Sequence, residues 1–228
     1  MQYGIRVIIK GDYACFSRPE LKVERVSYEV ITPSAARGIL EAIFWKPAIK
    51  YVIDEIAVCN RIKFENIRRN EINSKIPNYS IESAKQKHMT GSLALYSPGD
   101  RAQRASMVLR NVNYAVTAHF EMTDRAGPDD NEDKFTAMLY NRLKNGKHYH
   151  MPYLGAREFP ANVSLATDDI VSPPIEESRQ FGLMLYDIEY IKTDRVAGNN
   201  AISTYRPTYF MAEMVNGVID LRNVEVHK

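Results

Sequence analysis

Residues 32–47 can form little except one short amphipathic helix, and that limits the fold more than any other stretch. Thr32 is a good N-cap, and Pro33 falls at the first helical position, where a missing N–H costs nothing. Ala36, Ile39, Leu40, Ile43 and Phe44 recur at three- and four-residue spacing, the apolar stripe of a helix lying on a core. Pro47 disfavours helical backbone at the residue before it, so the spacing predicts a helix over 33–46. A second helix is predicted over 131–145. Acidic residues crowd its start, Arg142 and Lys144 its end, and Phe135, Met138, Leu139 and Leu143 form its stripe. That charge order suits the helix dipole, and Gly146 is a ready C-terminal cap.

Most of the remaining chain alternates or breaks. Tyr3 to Ile9 reads as a half-buried strand ended by Gly11 and Asp12. The charged stretch 17–32 reads as a long loop or ragged hairpin. Strands are predicted at 51–59, 61–67, 113–122 and 181–191. Residues 70–100, rich in Pro, Gly, Ser and Asn, read as a surface insertion. Asn216-Gly217 between apolar runs is a strong hairpin signal. The order is strand, helix, strands, loop, strand, helix, strands. No GxGxxG or GKS/GKT follows a strand, which excludes Rossmann and P-loop readings. The expected class is α+β: a split ferredoxin-like (RRM-like) unit with a small C-terminal antiparallel β-sheet. The expected division is 1–125 for the core, with an insertion near 73–100, and 126–228 for the second helix, a basic loop and the C-terminal sheet.

Composition adds bounds. The chain has 228 residues, 45% hydrophobic and 25% charged, ample for a packed core. It has no apolar run near the roughly 20 residues of a membrane span. The first residues alternate and carry charge, unlike a signal peptide. Cys15 and Cys59 have no partners at zinc-finger spacing, and a cytoplasmic protein with two reduced thiols is expected. Net charge is +2, but the cations cluster: Arg61 to Lys75, Arg101 to Arg110, and Lys144 to His150. Such runs serve solubility or a polyanion.

Four strings carry a resemblance: GDYACFSRPELKVERVSYEVITPSAARGILEAIFWKPAIKY (11–51), RIKFENIRRNEI (61–72), NYAVTAHF (113–120) and MPYLGAREFPANV (151–163). In order and spacing they resemble the CRISPR-associated Cas-five family, Dvulg (type I-C) subtype, of the RAMP superfamily. The resemblance implies a ferredoxin-like RAMP domain followed by a small antiparallel sheet. It implies binding of the CRISPR repeat RNA stem-loop, cleavage at the hairpin's 3′ base, and retention on the 5′ handle. The implied partners are the crRNA and the backbone and large subunits of the type I-C surveillance complex, with no cofactor and no metal. Non-specific binding of duplex DNA by the same basic surface is a further reading.

Metal-independent RNA cleavage needs a group to take the 2′-hydroxyl proton, a fixed cation for the phosphorane and a proton for the leaving 5′-oxygen. The family site resembles a Tyr, a Lys and a His. Phe44 and Phe135 occupy the Tyr and His positions here, and Lys134 is kept. Both phenylalanines also fall on apolar stripes, as core residues would. Three arrangements follow: Lys134 works with the basic-aromatic set Lys147, His148, Tyr149 and His150; Lys134 and positioning act alone; or the protein binds without cutting. His119 is a lesser candidate, more simply read as a hydrogen-bonded strand residue. Trp45 is read as packing at the helix end. The RNA-binding candidates are Arg18, Lys22, Arg25, Arg68, Arg69, Lys147 and Arg157, because Arg and Lys contact phosphates while nearby aromatic rings stack on unpaired bases.

Overall fold

The computed structural model describes residues 4–21, 23–86, 94, 97–167, 172–191 and 204–228. The strands are β1 (Gly4–Ala14), β2 (Arg25–Val26), β3 (Ile49–Val58), β4 (Phe64–Ile72), β5 (Arg101–Met122), β6 (Asn162–Leu165), β7 (Arg179–Ile191), β8 (Thr204–Met214) and β9 (Val218–Asp220). The helices are α1 (Pro33–Ile43), α2 (Asn78–Gln86) and α3 (Glu132–Lys144). The main sheet runs β6-β1-β5-β3-β9, with β2 and β4 pairing along the outer half of β5. Neighbours in that path are antiparallel, and only the two-residue β2 runs parallel to β5. A separate two-stranded ladder joins β7 to β8. The protein is therefore mixed α/β, with a mainly antiparallel sheet and few helices.

Alternation decides which face carries the helices. Val7 and Ile9 of β1 and Tyr114, Val116 and Ala118 of β5 join Ile39, Leu40, Phe135 and Leu139 in one core. The opposite face holds a small cluster of Ile8, Ala57, Cys59 and Ala115. Both cysteines are buried and free.

The two helices obey their local signals. Thr32 Oγ1 accepts from the Ala35 N–H at 3.2 Å, and α1 ends at Ile43, three residues before the predicted end. Phe44 is already extended, so the chain turns before the constraint of Pro47 is reached. Asn131 caps α3 by accepting the Lys134 N–H at 2.8 Å, and Gly146 takes φ +61° just beyond the end.

Other expectations need correction. Gly11 and Asp12 do not end β1, which pairs with β5 as far as Ala14. A Cβ at Gly11 would overlap the Leu154 side chain, so this glycine permits close approach rather than a break. The strand predicted at 113–122 starts at Arg101, because its outer half finds β4 as a partner. The insertion contains α2, which buries no residue. Asn216-Gly217 does make a two-residue turn, closed by hydrogen bonds between Val215 and Val218. Its arms then part, β8 to β7 and β9 to β3. From beyond residue 125, β6 and β9 add to the main sheet.

The β7–β8 ladder is tied to α1 by Arg37, which pairs with Glu41 and with Asp187, each at 2.6 Å. Burial disfavours the guanidinium charge, but the two carboxylates more than offset this and raise its pKa.

Candidate functional site

The positions that the resemblance assigns to the family's Tyr and His meet where α1 meets α3, and they form a seal. Phe44 and Phe135 lie 6.1 Å apart between ring centroids, and each is 2% exposed. A phenol stands beside them: Tyr51 donates its hydroxyl to the Phe44 carbonyl at 2.9 Å. It too is buried, and burial raises its pKa, so it cannot reach a substrate. Lys134 sits at the exposed start of α3. Its ammonium donates to Asp130 at 3.1 Å and to the Asp129 carbonyl at 3.4 Å. Asp130 is held below the usual aspartate range, first by the Gly127 N–H and then by Lys134.

The exposed chemistry lies past the other end of α3. The Gly146 turn sends the chain back across α1, where the Tyr149 and His150 N–H groups both donate to the Ala42 carbonyl, at 2.8 and 3.0 Å. Their rings touch, 4.3 Å apart between centroids, and Tyr149 is 75% exposed. Lys147 and His148 line a groove of about 990 Å³ between the end of α3, β1 and the 151–163 segment. Arg142 lines it too, and its guanidinium donates to the Ile43 carbonyl at 3.2 Å while lying over the Phe44 ring. Lys10 adds a fourth nitrogen-bearing side chain, and Asn60, Asn111, Asn113 and Asn162 add amides.

The structure thus brings Lys147 and His148 together with Arg142 and Lys10. Tyr149 and His150 share the loop but do not line the groove, and neither does Lys134. From Lys134 to Lys144, α3 rises about 15 Å. Arg142 has a sufficient local explanation in the sequence as the basic end of a helix, and Lys10 falls outside the predicted strand 3–9.

The other predicted cations divide in two. Arg18 is occupied by Glu29 at 2.8 Å and lies over Tyr28; Arg25 pairs with Glu71 at 3.6 Å; Arg69 pairs with Glu158 and donates to Ser106. Arg68 and Arg157 are exposed and have no acidic partner among the described residues. Lys22 lies outside the described residues. His119 holds Asp54 through Nδ1, at 2.9 Å from both carboxylate oxygens. Trp45 is 52% exposed rather than packed away. Among the described residues, no three His, Cys, Asp or Glu side chains gather as metal ligands, and no helix is long and apolar enough to cross a membrane.

Residues 4–222 match the family model described as CRISPR-associated protein (Cas_Cas5). The chain belongs to the Cas5 family. It is 46% identical to the CRISPR pre-crRNA endoribonuclease Cas5d of Mannheimia succiniciproducens, over 97% of this chain and 96% of that protein. It is 36% identical to the CRISPR pre-crRNA endoribonuclease Cas5d of Thermus thermophilus, over 95% and 90% of the two chains. Among solved structures, it shares its fold with a CRISPR-associated protein at TM-score 0.63 and 20% identity, covering 99% of this chain and 96% of that one. A functionally uncharacterized Streptococcus mutans protein superposes at TM-score 0.64 and 21% identity, over 96% and 92%. The groove and the Phe44–Phe135 seal both lie inside the part of this Cas5 chain that matches the family model.

Proposed function

We propose that the chain is a pre-crRNA endoribonuclease of the type I-C system, and that it cuts at the groove holding Arg142, Lys147 and His148. The observation that carries the location is that these side chains share one open cavity while Phe44 and Phe135 are sealed. The activity is that of two relatives aligned over nearly their whole length. The strand order β6-β1-β5-β3, with α1 and α3 on one face, supports a ferredoxin-like RAMP core. Two buried free thiols suit the cytoplasm.

His148 takes the 2′-hydroxyl proton, since an imidazole titrates near neutrality. The 2′-oxygen then attacks the adjacent phosphorus and forms a phosphorane, whose added charge faces Arg142 and Lys147. The bond to the 5′-oxygen breaks, and that oxygen takes a proton from the same loop, where Tyr149 and His150 are the other exchangeable groups. The products are a 2′,3′-cyclic phosphate and a 5′-hydroxyl. Lys134, Arg68 and Arg157 hold the backbone away from the cut, which fits the distance of Lys134 from the groove. After cleavage the protein stays on the 5′ handle and meets the backbone and large subunits of the surveillance complex.

A second reading, a handle-binding subunit that does not cut, is favoured by the burial of both family positions. End-labelled repeat RNA in EDTA separates the two, with wild type, Lys134→Ala, His148→Ala and His150→Ala compared. One cut at the hairpin base, ending in a cyclic phosphate and lost in His148→Ala, supports the nuclease at this groove. Tight binding without cleavage in any variant leaves the handle-binding subunit. Equal affinity for duplex DNA and repeat RNA would remove RNA specificity altogether.

A further inference from the structure

A second cavity, of about 420 Å³, opens between α1, the 153–155 segment and β7. Gly38 lines it from an exposed position inside α1. A Cβ at Gly38 would meet nothing within 4 Å, and the residue is helical, so neither packing nor backbone conformation among the described residues calls for glycine. Glycine is the poorest helix former after proline, and its place here suits a ligand that comes close to the backbone. Asp187 lines the same cavity, just past a register shift in the β7–β8 ladder between Leu185 and Asp187. Such an irregularity re-aims a side chain. Asp187 Oδ1 accepts from Arg37 at 2.6 Å and from the Ile188 N–H at 2.7 Å, while Oδ2 has no hydrogen-bond partner among the described residues. The Asp187 side chain is 24% exposed, so a ligand can reach it. Leu185 and Ile188 add apolar wall, and Ser34 and Tyr153 add hydroxyls.

One stretch of chain joins this cavity to the groove of Arg142, Lys147 and His148. Residues 147, 148, 151 and 152 line the groove, and Tyr153 lines the cavity. Between them, Tyr149 and His150 are held on the carbonyl of Ala42, itself a cavity residue. Resting on the RNA-cleaving role proposed for the groove, we propose that the cavity holds one unpaired guanine of the RNA. Unpaired RNA bases are read on their Watson–Crick edges, and a carboxylate there can only accept. Guanine alone among the four bases presents two adjacent donors on that edge, N1–H and the 2-amino group, and both are directed at Asp187 Oδ2. Its O6 accepts from the Ser34 or Tyr153 hydroxyl. Leu185 and Ile188 cover the ring, and Gly38 leaves room for it above the helix backbone. Adenine and cytosine would set a ring-nitrogen lone pair against the carboxylate, and uracil would set a carbonyl there. Arg37 holds Asp187 from its other oxygen, which makes Arg37 a positioning residue for this site.

The test uses the full chain in EDTA and repeat RNAs altered singly at each unpaired position flanking the hairpin. Each position carries guanosine, adenosine, or inosine, which keeps N1–H and O6 and lacks the 2-amino group. At one position, wild type binds guanosine about tenfold tighter than adenosine or inosine, the worth of one good two-point contact. Gly38→Leu fills the cavity and loses that preference, while urea unfolding shows it no less stable than wild type, since leucine is the better helix former. Asp187→Asn lowers the preference as well. If Asp187→Asn fails to fold without its Arg37 pair, the inosine comparison and Gly38→Leu still decide. A guanosine preference below about twofold at every position, too small for one hydrogen bond, overturns the inference. So does a preference that survives in Gly38→Leu. A protein partner seated in the cavity gives the first of these outcomes. Cleavage of repeat RNA without base preference sinks this inference alone, whereas failure to bind repeat RNA at all sinks the proposed function with it.

Discussion

The two ends of α3 offer opposite environments to the same ligand. At the start, Phe135 closes against Phe44, and Lys134 is turned to Asp130. Past the end, Lys147 and His148 line an open groove with Arg142. Phe44 and Phe135 lie in the core, while titratable groups stand outside it at the far end. A proton-transfer group must reach its substrate, so accessibility decides between the two ends before any question of pKa arises.

His148→Ala should have the largest effect. Single-turnover cleavage should fall by about 10²–10⁴-fold, the usual worth of a positioned acid or base. Because His148 is exposed, the variant's stability in urea unfolding should change by no more than about 0.5 kcal/mol. Unchanged cleavage would move the chemistry away from the groove. Phe44→Ala and Phe135→Ala probe the sealed end, and each should cost about 3–5 kcal/mol in urea unfolding, as for a buried aromatic. A loss of cleavage with stability intact would give these positions a direct role instead. Lys134→Ala is expected to weaken RNA binding a few-fold and to lower the salt slope of affinity by about one, the mark of a single phosphate contact. A large fall in cleavage rate with unchanged affinity would return Lys134 to the chemical step.

The smallest effect concerns pH. Asp130 has a folded pKa below its unfolded value, so its contribution to stability is present above about pH 4 and is lost as pH falls through the lower folded pKa. Lys134→Ala should raise the Asp130 pKa only partly, because the Gly127 N–H is the larger cause. Carboxyl titration by NMR reads the difference. Full return to the ordinary aspartate range would make Lys134 the dominant partner.

Local signals were legible wherever neighbours in sequence settle the conformation. Thr32 with Pro33, and Asn131 with Gly146, mark helix boundaries because the capping groups lie within a few residues of the backbone they satisfy. Gly11 misled, since its need is set by Leu154, far along the chain. Asn216-Gly217 gave the turn but not the pairing, because turn geometry acts over four residues while strand partners are chosen by the sheet. Arg69 looked free and is occupied by Glu158, a contact no spacing rule could reveal.

The two longer helices, most of the strands and the family resemblance are legible in the linear chain. Short-range sterics, capping and hydrophobic period are properties of adjacent residues and survive in a linear reading. That Phe44 and Phe135 close on each other, and that Arg142 and Lys10 join His148, is set by the packing of distant segments. Burial and hydrogen-bond satisfaction depend on segments far apart in the chain meeting at one place, and that meeting is fixed by the sheet order.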